Sequence, residues 1–479
     1  MSKPAMTMKT SISYPESICL ASETKAIRIH WSTIRNALND ARRRGCDGVP
    51  TFNEKKKDEE WGPDDDDDDD DDLMLLKRRV LVNLSRSLLL YGAPCHRIEQ
   101  SLEQAAHVLG LEATFFFIPG IMMICFGDMQ PRTLLVRCPQ GFDMGKLAKV
   151  TGIANAICHK KLPLQECIDK LEDIAQASPT WGPLAILMAH TVSSLLTTPV
   201  MFNGSWMDTA VSGGLGLMVG TLTLVAGKYA SYCNIFEIST AILVAFVAKA
   251  LNPWICFTGV SLSATATLLP GYILTMSIME LSAKHVITGT IRFIYALIYA
   301  LFIGYGLEIG TSIYDALDPT SSPTDFDTCS GSMPPWIYVG MFPFVAISMA
   351  TTLGATLQQW PSMVFCSAVG IGTTLIASKV ITNYQIVGTI SAFSVGLFGN
   401  LYLKVTGDLA LVPLSCGIVL LVPGSVGIQG AYFLIRQDDQ GTSFAIQMVV
   451  ASLGIAVGLF TATLLVYPKG KRRYLYLSY

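Results

Sequence analysis

The chain has 479 residues, of which 51% are hydrophobic and 15% are charged. Soluble domains carry about 25% charged residues, so the composition excludes an ordinary soluble enzyme and indicates a protein that lies largely in lipid. The formal net charge is −3, but the aspartate block at residues 64–72 dominates it, so the charge predicts no nucleic-acid partner.

Residues 1–72 form a polar N-terminal segment that ends in the aspartate block. Its self-repulsion and lack of apolar residues predict a disordered tail, which is a solvated spacer or else binds a basic partner or a metal cation. The first thirty residues contain no long apolar run followed by a cleavage site, so we expect no secretory signal peptide and a cytosolic N-terminus.

Residues 73–178 predict a small cytosolic α+β domain. Pro94 lies where a second helix opens, and Gly110 ends it. Pro119-Gly120 separates two apolar and aromatic runs, which predicts a β-hairpin. The predicted elements are helices at 73–91, 93–109, 143–161 and 164–177, a hairpin over 113–126 and a strand at 133–138.

Ten apolar segments follow, each near the ~20 residues that cross the hydrocarbon layer of a bilayer. They are 181–201, 207–227, 233–251, 256–279, 286–312, 336–356, 361–379, 384–403, 408–430 and 443–467. The predicted fold is thus a polytopic α-helical membrane protein behind a small α+β domain. Its membrane part divides into residues 181–312 and 336–467, joined by an extracytosolic loop at 313–335 and followed by a basic cytosolic C-terminus at 468–479.

The twelve cysteines are scattered singly, without a C-x-x-C pair. Four of them lie in the apolar segments as small hydrophobes do, namely Cys233, Cys256, Cys366 and Cys416. We therefore expect no disulfide, no structural metal site and no cofactor.

The loop charges predict the orientation. With a cytosolic N-terminal domain, seven Lys and Arg residues lie at inside ends, and two, or three with Lys249, lie at outside ends. The long loop before Pro335 has neither Lys nor Arg and falls outside. The positive-inside rule therefore agrees with cytosolic N- and C-termini.

An internal repeat relates the two halves. Leu268–Gly271 in the fourth segment recurs as Leu421–Gly424 in the ninth, 153 residues later, and Gly289-Thr290 recurs as Gly441-Thr442. Five segments separate the copies, so the halves run in opposite directions, as inverted repeats of secondary transporters do. Pro-Gly at matching places predicts a broken helix in each half, although short motifs of Leu, Pro and Gly also recur by chance.

Several motifs together resemble the threonine/serine exporter family. They are Tyr91–Glu99, Ile118–Gly120, Phe126–Asp128, Leu269–Tyr272, Met279–Leu281 and Gly289-Thr290. The resemblance covers about residues 75–467, and the chain looks closest to the fungal members called pheromone-regulated membrane proteins. It implies ten spans after a soluble domain and, from the bacterial relatives, export of small hydroxy amino acids driven by protons.

On this basis we expect a secondary transporter, a proton antiporter for threonine- or serine-like amino acids, that works by alternating access. The alternatives are a passive channel and a membrane-anchored signalling or scaffold protein. Expected partners are the amino acid, protons, the lipid bilayer and a second copy of the chain. The sequence does not distinguish between the plasma membrane and the vacuolar membrane as the location.

Ionisable side chains inside membrane segments are costly, so they are candidates for proton coupling. Glu237 lies about one turn inside the third segment and is the first candidate; the alternative places it at the headgroup boundary. His190 lies midway through the first segment and titrates near neutral pH, although a histidine bonded to a neighbouring helix explains it equally. Glu280 and Lys284 are predicted to form an i,i+4 ion pair, with Arg292 as the alternative partner of Glu280.

A zwitterionic amino acid needs donors for its carboxylate and acceptors for its ammonium group, which hydroxyls and freed backbone groups at broken helices provide. The predicted substrate site consists of Thr258, Ser261, Ser263, Thr265, Thr267, Pro270, Gly271, Pro423, Gly424 and Ser425. Ser and Thr also hold helices together in lipid, which is the alternative for each of them. Five glycines are assigned to close helix packing, namely Gly213, Gly216, Gly220, Gly306 and Gly310.

The N-terminal domain contains residue types used in hydrolysis, namely His96, Glu99, Ser101 and Asp128. Nothing in the sequence fixes their geometry, and a surface pair explains His96 and Glu99 equally well. Regulation or gating of the pore is therefore the expected role of this domain.

Overall fold

A computed structural model of the chain describes residues 66–127, 132–139, 141–319, 329, 331, 333–422, 424–436 and 444–468. Most of the predicted tail and nearly all of the predicted basic C-terminus lie outside these residues, as do Asp128, Pro423 and the Gly441-Thr442 half of the repeat.

The N-terminal domain has four helices and a three-stranded antiparallel sheet in the predicted order. They are α1 (Asp66–Leu90), α2 (Cys95–Leu109), β1 (Ala113–Ile118), β2 (Ile121–Phe126), β3 (Arg132–Arg137), α3 (Met144–Cys158) and α4 (Leu164–Gln176). Helix α1 begins inside the aspartate block and not at Leu73 as predicted, because carboxylates are favourable in the first turn of a helix.

Three glycines in turns direct the chain from one element of the N-terminal domain to the next. Gly92, at φ 94°, joins α1 to α2, and a Cβ there would lie 2.7 Å from the Gly141 carbonyl oxygen. Gly110, at φ 70°, caps α2, and Gly120, at φ 80°, completes the two-residue hairpin between β1 and β2. The resulting sheet places β2 between β1 and β3.

The domain core is formed by the inner face of the sheet and by one face of each of the helices α1, α2, α3 and α4. Its fully buried residues include Leu81, Leu84, Ile98, Leu102, Met122, Ile124, Leu147 and Ile168. The same apolar cluster continues into the membrane part through Tyr272 and Met349. The two parts of the protein therefore share one packed interior.

Thirteen helices follow Trp181 in the part of the chain that the structure describes. They are α5 (Pro183–Phe202), α6 (Trp206–Lys228), α7 (Ala230–Cys233), α8 (Phe236–Ala250), α9 (Phe257–Ala264), α10 (Gly271–Ser282), α11 (Val286–Leu317), α12 (Pro335–Thr352), α13 (Trp360–Ala377), α14 (Tyr384–Thr406), α15 (Leu411–Leu421), α16 (Gly424–Ile435) and α17 (Phe444–Val466). Six of them are long and apolar enough to cross a bilayer, or seven if the bent pair α9 and α10 counts as one span. The remaining helices are shorter, so the count of ten spans stays a prediction.

Helices at corresponding positions in the two halves have corresponding packing partners. Helix α10 packs on α11 and α17, while α16 packs on α17 and α11. Likewise α8 packs on α11, α14 packs on α17, and α5 packs on α12. A two-fold relation between the halves would interchange these pairs, which supports the predicted inverted repeat.

Glycines let several of these helices approach closely. A Cβ on Gly216 would lie 2.5 Å from the Ser194 side chain, and one on Gly310 would lie 2.4 Å from the Ile242 carbonyl oxygen. Gly213, Gly220 and Gly306 also meet neighbouring helices within 3.0 Å. The prediction that these five glycines serve helix packing is confirmed.

A disulfide joins Cys256, just before α9, to Cys329 in the loop after α11, with Cα atoms 5.7 Å apart. The prediction of no disulfide was wrong, because Cys256 lies at the end of its apolar segment, where the loop returns to it. The loop is also held by the Gly331 amide, which donates to the Asn203 carbonyl oxygen at 2.8 Å. Asp208 caps α6 and accepts from the Cys256 amide at 2.7 Å.

The disulfide is directly testable by peptide mapping. Denatured, non-reduced protein should yield a cross-linked peptide pair containing Cys256 and Cys329, and Cys329→Ser should release Cys256 for alkylation. Because the bond closes a long loop, its removal should also lower the free energy of unfolding, typically by about 2–4 kcal/mol. Cys366, a buried free thiol, is the control and should be alkylated without reductant; alkylation of Cys256 under the same conditions would contradict the assignment.

Candidate functional site

The first helix break lies between α9 and α10. Helix α9 ends at Ala264, a 3₁₀ turn covers Ala266–Leu268, and Leu269 is extended at φ −61° and ψ 126°. Pro270 precedes the first residue of α10, Gly271, and the two segments are bent by 51°. Proline has no amide hydrogen and cannot continue the helix, so the break falls where the sequence predicted it.

The second break lies between α15 and α16. Helix α15 ends at Leu421, Val422 is extended at φ −72° and ψ 130°, and α16 begins at Gly424. Pro423 lies outside the described residues. Each half-helix that follows a break is 12 residues long, and their first residues, Gly271 and Gly424, are one repeat apart.

Both breaks line a single cavity of ≈ 200 Å³, which α5 and α12 close from the side. The lining residues are Thr197, Met201, Phe202, Ala266, Thr267, Leu269, Gly271, Tyr272, Met349, Thr352, Val419, Leu420, Val422 and Ser425. Several of them correspond through the 153-residue repeat, such as Ala266 with Val419 and Tyr272 with Ser425. The cavity therefore lies where the two halves meet.

No charged side chain is among the described residues that line the cavity. The polar character of the cavity comes from the helix ends that face it. Gly271 and Ser425 belong to the first turns of α10 and α16, whose amide hydrogens lack partners within the helix. The positive ends of both helix dipoles therefore favour a carboxylate. The Val419 carbonyl cannot accept from residue 423, a proline, so it is an acceptor suited to an ammonium group.

Thr197, Thr267, Thr352 and Ser425 contribute hydroxyls to the lining. Thr197 on α5 is 6% exposed, and its Oγ1 has no hydrogen-bond partner among the described residues. Thr267 Oγ1 lies 2.8 Å from Nδ1 of His190, which is buried on α5. The structure thus brings together one predicted substrate residue and one predicted proton-coupling residue.

Ser425 is also among the lining residues, but the four remaining predicted hydroxyls, on and next to α9, are not, which corrects their assignment to the substrate site. Ser263 lies 2.6 Å from the hydroxyls of both Thr198 and Ser212. Ser261 and Thr265 donate to backbone carbonyls of their own helix, and Thr258 is buried elsewhere on α9. Ser263 thus bonds to neighbouring helices, and Ser261 and Thr265 bond to their own helix, while the Thr258 hydroxyl has no partner among the described residues. Pro270 lies beside Gly271 in the break, outside the lining.

Glu237 is also distant from the cavity. It lies in the first turn of α8, 9% exposed, and follows Phe236, which packs in the cluster between α8 and α11. Glu237 is not among the residues that line the cavity, so its predicted proton coupling stays a prediction without a contact to this site.

Most residues of the cavity wall were not predicted from the sequence, among them Thr197, Met349 and Thr352. The hydroxyls on α5, Ser193, Ser194, Thr197 and Thr198, are all buried, which a helical wheel would have indicated. Met349 lies 152 residues after Thr197, close to the offset of the predicted repeat. The repeat therefore predicts that the two residues occupy equivalent positions in the two halves.

The N-terminal domain is joined to the membrane part through a buried ion pair. Glu280, at the end of α10, is fully buried and pairs with Arg292 of α11 at 2.5 Å. Its Oε1 also accepts from the Cys95 amide at 3.1 Å, and Arg292 donates to the Cys95 sulfur at 3.5 Å. Burial raises the pKa of the Cys95 thiol to about 12, so the sulfur is a neutral acceptor.

The predicted Glu280–Lys284 pair is not the one that forms. Helix α10 ends at Ser282, and Lys284 lies exposed in the following turn at φ 70°. The i,i+4 geometry therefore does not extend to Lys284, and the alternative partner, Arg292, takes its place. A buried carboxylate needs such a partner, because its desolvation is costly.

A second set of contacts brings the domain to the cavity itself. The Phe142 ring meets the edge of Tyr272, a cavity-lining residue, with centroids 5.5 Å apart. The amides of Met144 and Gly145 donate to the carbonyls of Leu353 and Gly354, at 3.1 and 3.0 Å. The domain therefore contacts both halves of the membrane part at one end of the cavity.

Residues 79–314 match the family described as "Putative threonine/serine exporter". The chain is 32% identical to pheromone-regulated membrane protein 10 of Kluyveromyces lactis over 83% of its length and 44% of that protein. It is 31% identical to the Saccharomyces cerevisiae protein of the same name, over 83% of this chain and 55% of that protein. No solved structure matches the chain.

The fold is that of a multi-pass helical membrane protein. With these matches, the chain belongs to the threonine/serine exporter family. It spans between 44% and 55% of the length of these two relatives, which therefore carry sequence beyond the shared part.

His96, beside this interface, should make folding stability depend on pH. It is 4% exposed, neither ring nitrogen has a hydrogen-bond partner among the described residues, and burial lowers its pKa from 6.5 to about 3. The nearby cations Arg97, His285 and Arg292 lower it further. Between these values the unfolded chain binds a proton that the folded chain does not, so stability should fall as the pH drops below 6.5.

The measurement is the thermal unfolding midpoint of the full chain in detergent at about pH 7 and about pH 5, where one such group contributes up to about 1.4 kcal/mol per pH unit. His96→Leu should lose less stability on acidification than the parent chain. His107→Gln, on the exposed face of the same helix, should behave like the parent. Equal losses in the parent and His96→Leu would show that His96 is not the group responsible.

Proposed function

We propose that the chain is a secondary transporter that exports small hydroxy amino acids of the threonine and serine type in exchange for protons. The observation that carries the proposal is the cavity at which both helix breaks meet, with Thr197 and the His190–Thr267 pair in or beside its wall. The family match supports an exporter-type transporter, and the chemistry of this site supports the proposed substrate and coupling.

The site suits a small zwitterion. Its volume of ≈ 200 Å³ is below the ~300 Å³ at which pockets for drug-sized ligands begin. The amides at the starts of α10 and α16 bind the carboxylate, and the Val419 carbonyl and neighbouring break carbonyls bind the ammonium group. Thr197 then donates to or accepts from the side-chain hydroxyl of the substrate, which selects hydroxy amino acids over apolar ones.

Proton coupling is assigned to His190 in place of Glu237, because His190 contacts the cavity wall. Its Nδ1 and the Thr267 hydroxyl share one hydrogen bond whose direction depends on the protonation state of the ring. Gain or loss of a proton at His190 therefore changes what Thr267 presents to the substrate. This links proton binding to substrate binding in one contact.

Alternating access needs contacts that can open at each end. At one end, Phe142 lies against Tyr272 and must move for the cavity to reach the cytosol in the predicted orientation. At the other, Arg436 at the end of α16 pairs with Glu308 of α11 at 3.1 Å. Since α11 also carries Arg292, this helix is ion-paired to both half-helices, α10 and α16.

Thr267→Val should reduce flux of labelled threonine into or out of proteoliposomes. Loss of one hydrogen bond at the site costs about 1–1.5 kcal/mol, or roughly tenfold in transport at low substrate concentration. Thr258→Val is the matched control, because Thr258 is a buried threonine of the same broken segment away from the cavity, and it should transport like the parent. Equal flux in the two variants would remove Thr267 from the site.

His190→Gln should separate substrate binding from proton coupling. Glutamine can still hydrogen-bond Thr267 but does not titrate, so the variant should retain threonine exchange between equal pools and lose accumulation driven by a pH gradient. Glu237→Gln should keep both. Gradient-driven flux in His190→Gln would contradict the assignment, and downhill flux in the parent that ignores the gradient would favour the passive channel.

A further inference from the structure

The outer face of the N-terminal sheet carries a row of uncovered apolar side chains. The register aligns Phe116 of β1 with Met123 of β2 and Leu135 of β3 across the three strands. Phe116 is 43% exposed and Leu135 is 63% exposed. The opposite face holds Phe115, Phe117, Met122 and Ile124 in the domain core, so this second apolar face is not needed for the fold of the domain.

The polarity of the outer face changes along the strands. The row on one side of Phe116–Met123–Leu135 is Thr114–Cys125–Thr133, in which the Thr133 hydroxyl contacts the Cys125 sulfur at 3.5 Å. The row on the other side is Ile118–Ile121–Arg137, next to the hairpin turn. The face is therefore polar at one end and apolar at the hairpin end, with a basic residue at its margin.

The hairpin end is the end that meets the membrane part. Phe117, next to the turn, accepts through its carbonyl oxygen from the Thr288 hydroxyl at 3.0 Å. Thr288 lies in the first turn of α11, a candidate span, and its neighbours Val286 and Ile287 are 60% and 48% exposed. Exposed apolar side chains at the start of a span therefore lie beside the hairpin end of the sheet.

We propose that the outer face of the sheet lies on the lipid bilayer at the base of α11, with Phe116, Met123 and Leu135 in the boundary between headgroups and acyl chains. Amphipathic surfaces bind this boundary with their apolar side in the lipid and basic side chains at the headgroups. Arg137 and Lys284 stand at the hairpin end of the sheet and at the turn before α11, where anionic headgroups would lie.

Lipid fits this face better than a second copy of the chain. A protein partner would not require the hairpin end of the apolar face to coincide with the start of a span, whereas a bilayer does. The face is small, yet the spans already hold the domain at the membrane, so a weak contact forms at high effective concentration. The contact would fix the domain that closes one end of the cavity against the lipid surface.

Spin labels in the full chain, reconstituted in phosphatidylcholine and phosphatidylserine vesicles, test the proposal. The background replaces Cys125, Cys158 and any other cysteine that reacts with the label by serine. Labels are placed by Leu135→Cys on the apolar row, Thr133→Cys on the polar row of the same strand, and Leu75→Cys at an exposed leucine of α1 that is 53% exposed. Accessibility to oxygen and to a water-soluble nickel chelate is then measured at each site.

The label at position 135 should show several-fold lower nickel accessibility than those at 133 and 75, together with higher oxygen accessibility, because oxygen concentrates in lipid. Equal nickel accessibility at 135 and 75 would place the face in water and overturn the proposal. Low accessibility to both reagents at 135 would show that protein covers the face, either a second copy or residues 1–65 of this chain, and would overturn it equally. None of these outcomes depends on which solute the cavity carries.

Discussion

A broken helix in a membrane protein must hide its freed backbone groups from lipid. Amide and carbonyl groups in hydrocarbon need partners, so irregular backbone is tolerated only inside protein or beside a cavity. Helix α9 ends at Ala264, shortly before Pro270, α15 ends at Leu421, and both breaks consequently face inward toward one cavity. The cavity, the two half-helix starts around it and the positions of α5 and α12 follow from this constraint.

The inward orientation of the two helix breaks also explains the close packing of the helices around them. Because α9 is enclosed, its Ser263 hydroxyl bonds to hydroxyls of α5 and α6. Gly216 lets α6 approach α5 beside Ser194 and His190. At the end of α10, the buried carboxylate of Glu280 requires Arg292 and the Cys95 amide, and this joins the N-terminal domain to the half-helix that begins at the cavity. A movement of α10 therefore cannot leave the domain unaffected.

The sequence predicted what depends on local chemistry. Apolar length located the helices, Pro-Gly located both breaks, and glycine spacing located the close contacts. What it could not predict depends on three-dimensional neighbours. Five hydroxyls near one break could not be divided into cavity and packing faces, and only Thr267 lines the cavity. Cys256 and Cys329 are 73 residues apart, and Glu280 pairs with a residue of the next helix because its own helix ends too early for Lys284.

The most direct measurement is a cryo-electron microscopy map of the protein in lipid nanodiscs with threonine at a concentration that saturates its flux. The account predicts density for one amino acid between the first turns of α10 and α16, with its side-chain hydroxyl within about 3 Å of Thr197 Oγ1. An empty cavity under these conditions, threonine bound elsewhere, or continuous helices through residues 264–271 and 421–424 would contradict it.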